Sequence, residues 1–250
     1  MCLILFSWKS HPDYDLILTA NRDEFYNRPA LPAHRWPEHL ELIAGKDLTG
    51  GGTWMGITAQ GRMAALTNYR DPENINPTAP SRGALTKDFL TSQVSPESYL
   101  EALRSEKKAY NGFNLLVGDN KSLWYYNNIN HEVSELAPGV YGLSNALLNN
   151  SWPKVDEGRK AIHQLQSMSE LSTQELLNVV QNKALAPDKT LPATGVPLEW
   201  ERALSAMHIT MDGYGTRCST AILKSQEKIH FSEWTHPLVG QKEDQVDFIL

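Results

Sequence analysis

Short apolar runs separated by turn-forming residues recur along the chain in three blocks, with helical segments between the blocks. The first block begins with residues 3–8 and 15–20, which are joined by the turn-rich segment KSHPDYD. Apolar runs this short and this close predict two neighbouring strands. The segment TWMGITAQGRMAALTN predicts two more strands around a Gln60-Gly61 turn, whereas the Pro- and Gly-rich stretch 28–52 predicts a long excursion.

Helix-start signals define the two helical blocks. Ser95 followed by Pro96 predicts an N-cap and the first residue of a helix. Ser172 and Glu175 have the spacing of a capping box, and the segment 153–168 predicts a further amphipathic helix that starts near its proline.

The remaining apolar runs predict strands between and after the helices. FNLLVG, SLWYYN and VYGLSN lie between the helical blocks, and AMHITMD, TRCSTAILK and KIHFSEW close the chain. The order strands, helices, strands, helices, strands differs from the regular βαβ alternation of a doubly wound fold. We therefore predict an α+β fold, a four-layer αββα sandwich in which two mainly antiparallel sheets pack face to face between helices. With no linker and no internal repeat, residues 1–250 are expected to form a single domain.

Composition narrows the classes of function. The net charge of −6 argues against a nucleic-acid or anionic-membrane binder, because both need a basic surface. Cys2 and Cys218 cannot supply a disulfide framework, and the apolar start MCLILFSW lacks a basic leader and is too short to span a bilayer. The eight histidines are scattered without metal-ligand spacing. We expect a soluble cytoplasmic protein without stable membrane insertion that needs no metal and no resident cofactor.

Cys2 has two interpretations. As a free cysteine at the start of a strand it is a small buried apolar residue. If the initiator methionine is removed, however, Cys2 becomes an N-terminal nucleophile whose α-amine, with a pKa of about 8, accepts the thiol proton. A thiolate also needs a nearby cation, which Arg22 could supply, while Asp23 could hold the amine.

Three polar residues elsewhere also end or begin strand-like runs. Asn68 and Asn145 each follow an apolar run, where an amide can donate to a developing oxyanion or simply cap a turn. Arg217 lies just inside a late strand, where it can bind a carboxylate or pair with an acidic residue.

These stretches together resemble the NRDE family, also called the transport and Golgi organisation 2 family. The matching segments run in family order over nearly the whole chain: MCLI, LILTANRDEFYNRP, GGTWMGI, GRMAALTNY, YNGFNL, YGLSNALLNNSWPK and GYGTR. A more distant resemblance is to N-terminal-nucleophile hydrolases of the bile-salt hydrolase and penicillin V acylase type. That resemblance implies the αββα sandwich and a catalytic set at matching positions: Cys2, Arg22, Asp23, Asn68, Asn145 and Arg217.

One departure from the hydrolase pattern concerns the contiguous Arg22 and Asp23. Adjacent residues of an extended strand point to opposite faces, so both can approach Cys2 only if the strand has ended or bulged there.

The family resemblance implies a function in haem trafficking, in lipid or acyl-CoA metabolism, or in secretory-pathway organisation. We predict the binding and transfer of haem or a similar hydrophobic anionic small molecule, with haem as transported ligand rather than as cofactor. The alternative is a Cys2-dependent amidohydrolase acting on a small C–N bond. The predicted ligand-binding residues are the NRDE tetrapeptide and two nearby aromatic residues: Asn21, Arg22, Asp23, Glu24, Trp54 and Tyr69.

Overall fold

The structure is a computed structural model that describes residues 2–106, 110–237 and 244–250, and these fall into two compact units. The first unit comprises the chain up to Asn27, Arg70–Glu73 and Pro138–Leu250, and the second comprises Arg28–Tyr69 and Asn74–Ala137. The expectation of a single domain stays a prediction.

Strands form most of the regular structure. The strands are β1 (Cys2–Trp8), β2 (Leu16–Phe25), β3 (Ala30–Trp36), β4 (His39–Asp47), β5 (Met55–Thr58), β6 (Met63–Asn68), β7 (Phe113–Gly118), β8 (Leu123–Asn127), β9 (Glu132–Glu135), β10 (Gly139–Leu143), β11 (Thr210–Met211), β12 (Tyr214–Lys224), β13 (Ile229–Thr235) and β14 (Asp244–Ile249). The α-helices are α1 (Gly83–Thr91), α2 (Pro96–Ser105), α3 (Pro153–Leu165), α4 (Thr173–Val179) and α5 (Leu198–Leu204). No helix among the described residues is long and apolar enough to cross a membrane.

The first unit is an antiparallel sheet covered on one face by helices. Its strands lie in the order β10-β1-β2-β12-β13-β14, and β11 pairs with β12. Leu3, Leu5 and Ile17 project from the sheet into a core that includes Ile162 of α3 and Leu176 of α4. On this helix-covered face α3 packs against β1 and β10, and its first turn carries part of the candidate site.

The second unit is an antiparallel meander with its own core. Strands β3 to β9 pair in chain order. Leu66 and Leu115 of the sheet pack with Phe89 of α1 and with Leu100 of α2. Each unit therefore buries one sheet face under helices, and the expected α+β class with two antiparallel sheets is confirmed.

Several local predictions are confirmed by the structure. Ser95 caps α2 by accepting a hydrogen bond from the backbone N–H of Ser98, and Pro96 is the first helical residue. Ser172 and Glu175 form a reciprocal capping box at the start of α4. The Gln60-Gly61 turn joins β5 to β6, with Gly61 at a φ of +81° that favours glycine.

Two predictions about the first fifty residues are wrong in detail. The stretch 28–52 is not an irregular excursion, because it contains β3 and β4. β3 lies at the sheet edge with register irregularities, and an edge strand tolerates the proline at position 32. The second strand also continues to Phe25, so the NRDE tetrapeptide lies within β2 rather than after it.

Candidate functional site

Cys2 lies at the start of β1 in a row of three residues on neighbouring strands. It pairs directly with Arg22 of β2, and Arg22 pairs on its other side with Cys218 of β12. Directly opposed residues of an antiparallel sheet project from the same face. The side chains of Cys2, Arg22 and Cys218 therefore project from the same face of the sheet. The sequence motifs suggest Arg22 as a cation near Cys2, and they give no indication of Cys218.

The surroundings of the two thiols keep them protonated at neutral pH. Burial raises the pKa of the Cys2 thiol, whereas Arg22 and the backbone N–H of Asp23 act in the opposite direction. Burial and the nearby Glu233 carboxylate raise the pKa of Cys218 well above its ordinary value. A thiolate at Cys2 consequently requires a base that takes its proton.

Asp23 projects from the other face of β2, toward the helices. Its Oδ1 atom accepts a 2.7 Å hydrogen bond from the Thr216 hydroxyl, and Asp23 is only 1% exposed. Burial raises the pKa of this carboxyl group, and the ammonium group of Lys154 is the strongest influence in the opposite direction. β2 is continuous through these residues, and adjacent residues of a continuous strand project from opposite faces. Arg22 and Asp23 therefore lie on opposite faces of the sheet.

The bulge lies on the neighbouring strand instead. The β2–β12 register shifts between Thr216 and Cys218, which leaves Arg217 as the extra residue. The Arg217 guanidinium donates to the carbonyl oxygens of Phe25 at 3.1 Å and Tyr26 at 3.3 Å. Burial lowers the pKa of Arg217, and the neighbouring charge of Arg22 lowers it further. The bulge therefore brings a second guanidinium close to Arg22.

Asn145 also lies near the start of β1. The Ser144 hydroxyl is 3.1 Å from the carbonyl oxygen of Cys2 and 3.5 Å from Oδ1 of Asn145. The backbone carbonyl of Asn145 accepts a 2.8 Å hydrogen bond from the backbone N–H of Arg70. The structure thus brings Cys2, Arg22, Asp23, Asn145 and Arg217 to one end of the first unit's sheet.

Asn21 holds helix-side segments to the sheet. Its side-chain nitrogen donates to the carbonyl oxygens of Val180 at 2.8 Å and Met207 at 2.9 Å. Its Oδ1 atom accepts a 2.6 Å hydrogen bond from the Ser219 hydroxyl. Half-buried Glu24 accepts a hydrogen bond from the backbone N–H of Phe25. The ligand-binding roles expected for Asn21 and Glu24 stay predictions.

Three predicted site residues belong to the second unit. Asn68 ends β6 opposite Phe113, and the backbone N–H of Tyr69 donates to the carbonyl oxygen of Gly112 at 2.9 Å. The Trp54 ring lies directly over Gly45, where a Cβ atom would come within 2.2 Å of it. The expected roles of Asn68, Trp54 and Tyr69 stay predictions.

A cluster of buried charged residues near Asp23 is not predicted by the sequence motifs. Arg70 pairs with Glu201 at 2.9 Å, and both side chains are almost fully buried. Lys154 is 2% exposed and donates from Nζ to the carbonyl oxygen of Leu204 at 2.9 Å. One signal for Lys154 is available in the sequence, since it shares the buried stripe of α3 with Gly158 and Ile162 at helical spacing.

Comparisons with known proteins match nearly the whole chain. The sequence profile of the family described as Transport and Golgi organisation 2 matches residues 1–236. The Transport and Golgi organization protein 2 homolog of Bos taurus is 40% identical over 246 residues, which cover 89% of this chain and 88% of the relative. The human homolog is 38% identical over the same shares of both chains. The Drosophila melanogaster protein is 30% identical, covering 94% of this chain and 92% of the relative.

Two solved structures share the fold at low sequence identity. A Caenorhabditis elegans ortholog of N-acylethanolamine-hydrolyzing acid amidase has a TM-score of 0.52 and 11% identity, covering 89% of this chain and 92% of its own. The C2A mutant of the conjugated bile acid hydrolase from Clostridium perfringens has a TM-score of 0.52 and 10% identity, covering 99% of this chain and 92% of its own. At this identity the likeness shows the fold alone.

Proposed function

Because the chain belongs to the Transport and Golgi organisation 2 family and has the fold of two hydrolases, we propose that it is an N-terminal-cysteine amidohydrolase. The expected substrate is an amide that joins a hydrophobic acyl group to a small amine. The printed names of the two structural neighbours, an N-acylethanolamine-hydrolyzing amidase and a conjugated bile acid hydrolase, favour that class.

The observation that carries the proposal is the pairing of Cys2 with Arg22. Because β1 and β2 are antiparallel, this register brings Asp23 level with the N-terminal side of Cys2. A carboxylate beside the α-amine and a cation beside the thiol are the two partners that an N-terminal nucleophile needs.

The proposed reaction begins once Met1 has been removed. The α-amine of Cys2 takes the thiol proton, and Sγ attacks the amide carbon while the carbonyl electrons move to oxygen. The Asn145 amide donates to that oxygen. The C–N bond then breaks, and the leaving amine takes the proton from the α-ammonium group. Water cleaves the thioester by the same proton transfers, which releases the carboxylic acid and restores the thiol.

The decisive experiment measures the intact mass and the thiol labelling of natively expressed protein. We expect Met1 to be absent, and a thiol-reactive acyl-amide probe to add one equivalent of mass. Cys2→Ala should abolish the labelling and the hydrolysis of N-acyl amides, whereas the matched control Cys218→Ala should retain both, since buried Cys218 is kept as a thiol. A retained Met1 with an unlabelled Cys2 would overturn the enzymatic proposal.

The two neighbouring guanidinium groups favour a second candidate, the binding and transfer of haem or a similar hydrophobic anion. The bulge in β12 places Arg217 beside Arg22, and the like charge of Arg22 adds to burial in lowering the pKa of Arg217. A bound carboxylate would relieve the repulsion between the two charges. This candidate agrees with the link to haem trafficking and acyl-group metabolism that the family resemblance implies, and with the cytoplasmic location expected from the composition.

Haem titration tests the second candidate. A Soret shift at micromolar haem is expected for wild-type protein and for Lys46→Ala, a control in the second unit. Arg22→Ala and Arg217→Ala should weaken it. No shift for wild-type protein removes haem as the ligand. Because Arg22 serves both candidates, its substitution does not separate them, whereas the loss of hydrolysis in Cys2→Ala does.

A further inference from the structure

Lys154 occupies a position that is unfavourable for a lysine in two respects. It follows Pro153 in the first turn of α3, where the helix dipole disfavours a cation. It is also 2% exposed, and burial of an ammonium group is strongly unfavourable unless it is compensated. Its described hydrogen bond, to the carbonyl oxygen of Leu204, supplies only part of that compensation. A negative charge is therefore expected nearby.

The buried carboxylate of Glu201 already has partners. Its Oε2 atom binds Arg70 at 2.9 Å, and its Oε1 atom accepts from the backbone N–H and the hydroxyl group of Thr194.

Asp23 is a second buried carboxylate on this side of the sheet, and a chain of contacts leads to it from Lys154. Leu204, whose carbonyl oxygen accepts from Lys154, packs with Ile209. The backbone N–H of Ile209 donates to the Thr216 hydroxyl that binds Asp23. The Asp23 charge also raises the pKa of Lys154 against the effect of burial. The cavity beside Lys154, Arg70 and Glu201 has a volume of about 10 Å³, room for one water molecule, so solvent screens these charges weakly.

We propose that Lys154 is the electrostatic partner of Asp23 and a positioning residue of the Cys2 site. The positive charge of Lys154, in the first turn of α3, attracts the Asp23 carboxylate on the helix-facing side of β2, and little solvent lies between them to screen the attraction. The lysine charge keeps Asp23 ionised, and the ionised carboxylate can then hold the α-ammonium of Cys2. The last step rests on the proposed function, whereas the pairing of the two side chains does not.

Other charged groups around Asp23 do not replace Lys154. Burial raises the pKa of the Asp23 carboxyl group. Lys154 and Arg22 both lower this pKa, and Lys154 has the larger effect. Arg70 is committed to Glu201. Tyr214 is neutral because burial raises its pKa, and the Cys2 thiol is protonated for the same reason. Loss of the lysine charge should therefore raise the pKa of Asp23 further.

Titration of the aspartate carboxyl carbons by ¹³C NMR tests the pairing, with Asp23→Asn to assign the resonance. Lys154→Met should raise the Asp23 midpoint by about one pH unit or more, and Lys154→Arg should restore it. The matched control is Lys224→Met, which removes another buried lysine of the same unit. Lys224 pairs with Asp15 at 3.3 Å and lies opposite Leu16, at the far end of β2. Equal midpoints in the Lys154→Met and Lys224→Met proteins would overturn the inference.

The reciprocal titration covers the case in which Lys154→Met does not fold. Lys154 should titrate near its pKa of about 8 in wild-type protein, and Asp23→Asn should lower that midpoint. An unchanged Lys154 midpoint would also overturn the inference. Hydrolysis separates the two proposals. A moved Asp23 midpoint without any hydrolysis by wild-type protein rejects the proposed function alone, whereas hydrolysis with an unmoved midpoint rejects the Lys154 inference alone.

Discussion

At the scale of single residues, the NRDE tetrapeptide divides its side chains between two environments. Arg22 shares a sheet face with Cys2, whereas Asn21 and Asp23 face the helices. Glu24 lies where β2 becomes exposed. The four contiguous polar residues therefore project from both faces of the sheet. Asn21 makes structural hydrogen bonds, whereas Arg22 and Asp23 are candidates for the chemistry at Cys2.

Substitution of Asn21 should reduce stability more than it reduces chemistry. Asn21→Leu leaves two carbonyl groups and the Ser219 hydroxyl without their amide partner, and we expect a loss of about 3 kcal/mol in the free energy of unfolding. The exposed Asn120, changed to Ala, should lose at most about 0.5 kcal/mol. Urea unfolding measures both. A folded Asn21→Leu protein of wild-type stability that no longer labels at Cys2 would contradict this assignment.

Strand alternation predicts from sequence that Arg22 and Asp23 lie on opposite faces, and the structure agrees. The bulge at Arg217 could not be predicted, because it depends on which distant strand pairs with β2. Lys154 was missed since lysine is normally exposed, and only its place on an apolar helical stripe marks it. The facing of neighbouring residues in β2 could therefore be predicted from the sequence, whereas the charged residues contributed by distant segments, Arg217 and Lys154, could not.

At the scale of elements, β12 combines a long regular pairing with one irregularity. Seven residues from Cys218 to Lys224 pair in register with Arg22 back to Leu16, and Tyr214 to Thr216 pair with Phe25 back to Asp23. The extra residue between these two stretches is Arg217. The bulge therefore changes the position of one side chain without changing the faces of its neighbours.

Deletion of Arg217 should consequently be tolerated. The remaining residues of β12 keep their partners, and both proteins lose the same guanidinium hydrogen bonds. The deletion also removes the carbonyl oxygen that accepts from the backbone N–H of His236, so its unfolding free energy should lie about 1–2 kcal/mol below that of Arg217→Ala. Deletion of Thr220 is the control, since it moves half of β12 to the wrong face and should prevent folding. Circular dichroism and urea unfolding check both proteins. Equal damage from the two deletions would rule out a simple bulge.

Caps and turns were predictable from sequence because their hydrogen bonds join residues within a few positions, as at Ser95 and Ser172. β3 and β4 were missed for the opposite reason. Proline suppresses strand signals, yet an edge strand with irregular register accommodates it.

At the scale of the whole molecule, the stability of the first unit depends on two neutral histidines. The rings of His208 and His236 lie 4.5 Å apart, and burial lowers the pKa of each to about 4. His208 contacts Gln181, and His236 contacts Ser219, which also binds Asn21. Protonation of either ring would place a cation within this buried network.

The melting temperature should therefore depend on pH in the acidic range. Between the ordinary histidine value of 6.5 and about 4, the unfolded chain binds protons that the folded chain does not, so stability falls as the pH falls. Calorimetry should show a shallower decline for a folded His208→Gln protein than for wild type. Exposed His39, changed to Gln, should leave the slope unchanged. Identical slopes in all three proteins would exclude the histidine pair as the cause.

The position of Arg22 between Cys2 and Cys218 has a consequence under oxidising conditions. Two strand spacings separate the cysteine backbones by about 9–10 Å, beyond the reach of a disulfide. An oxidised Cys2 cannot form a disulfide with the chain's other cysteine, so recovery of the thiol must come from an external reductant such as a small-molecule thiol.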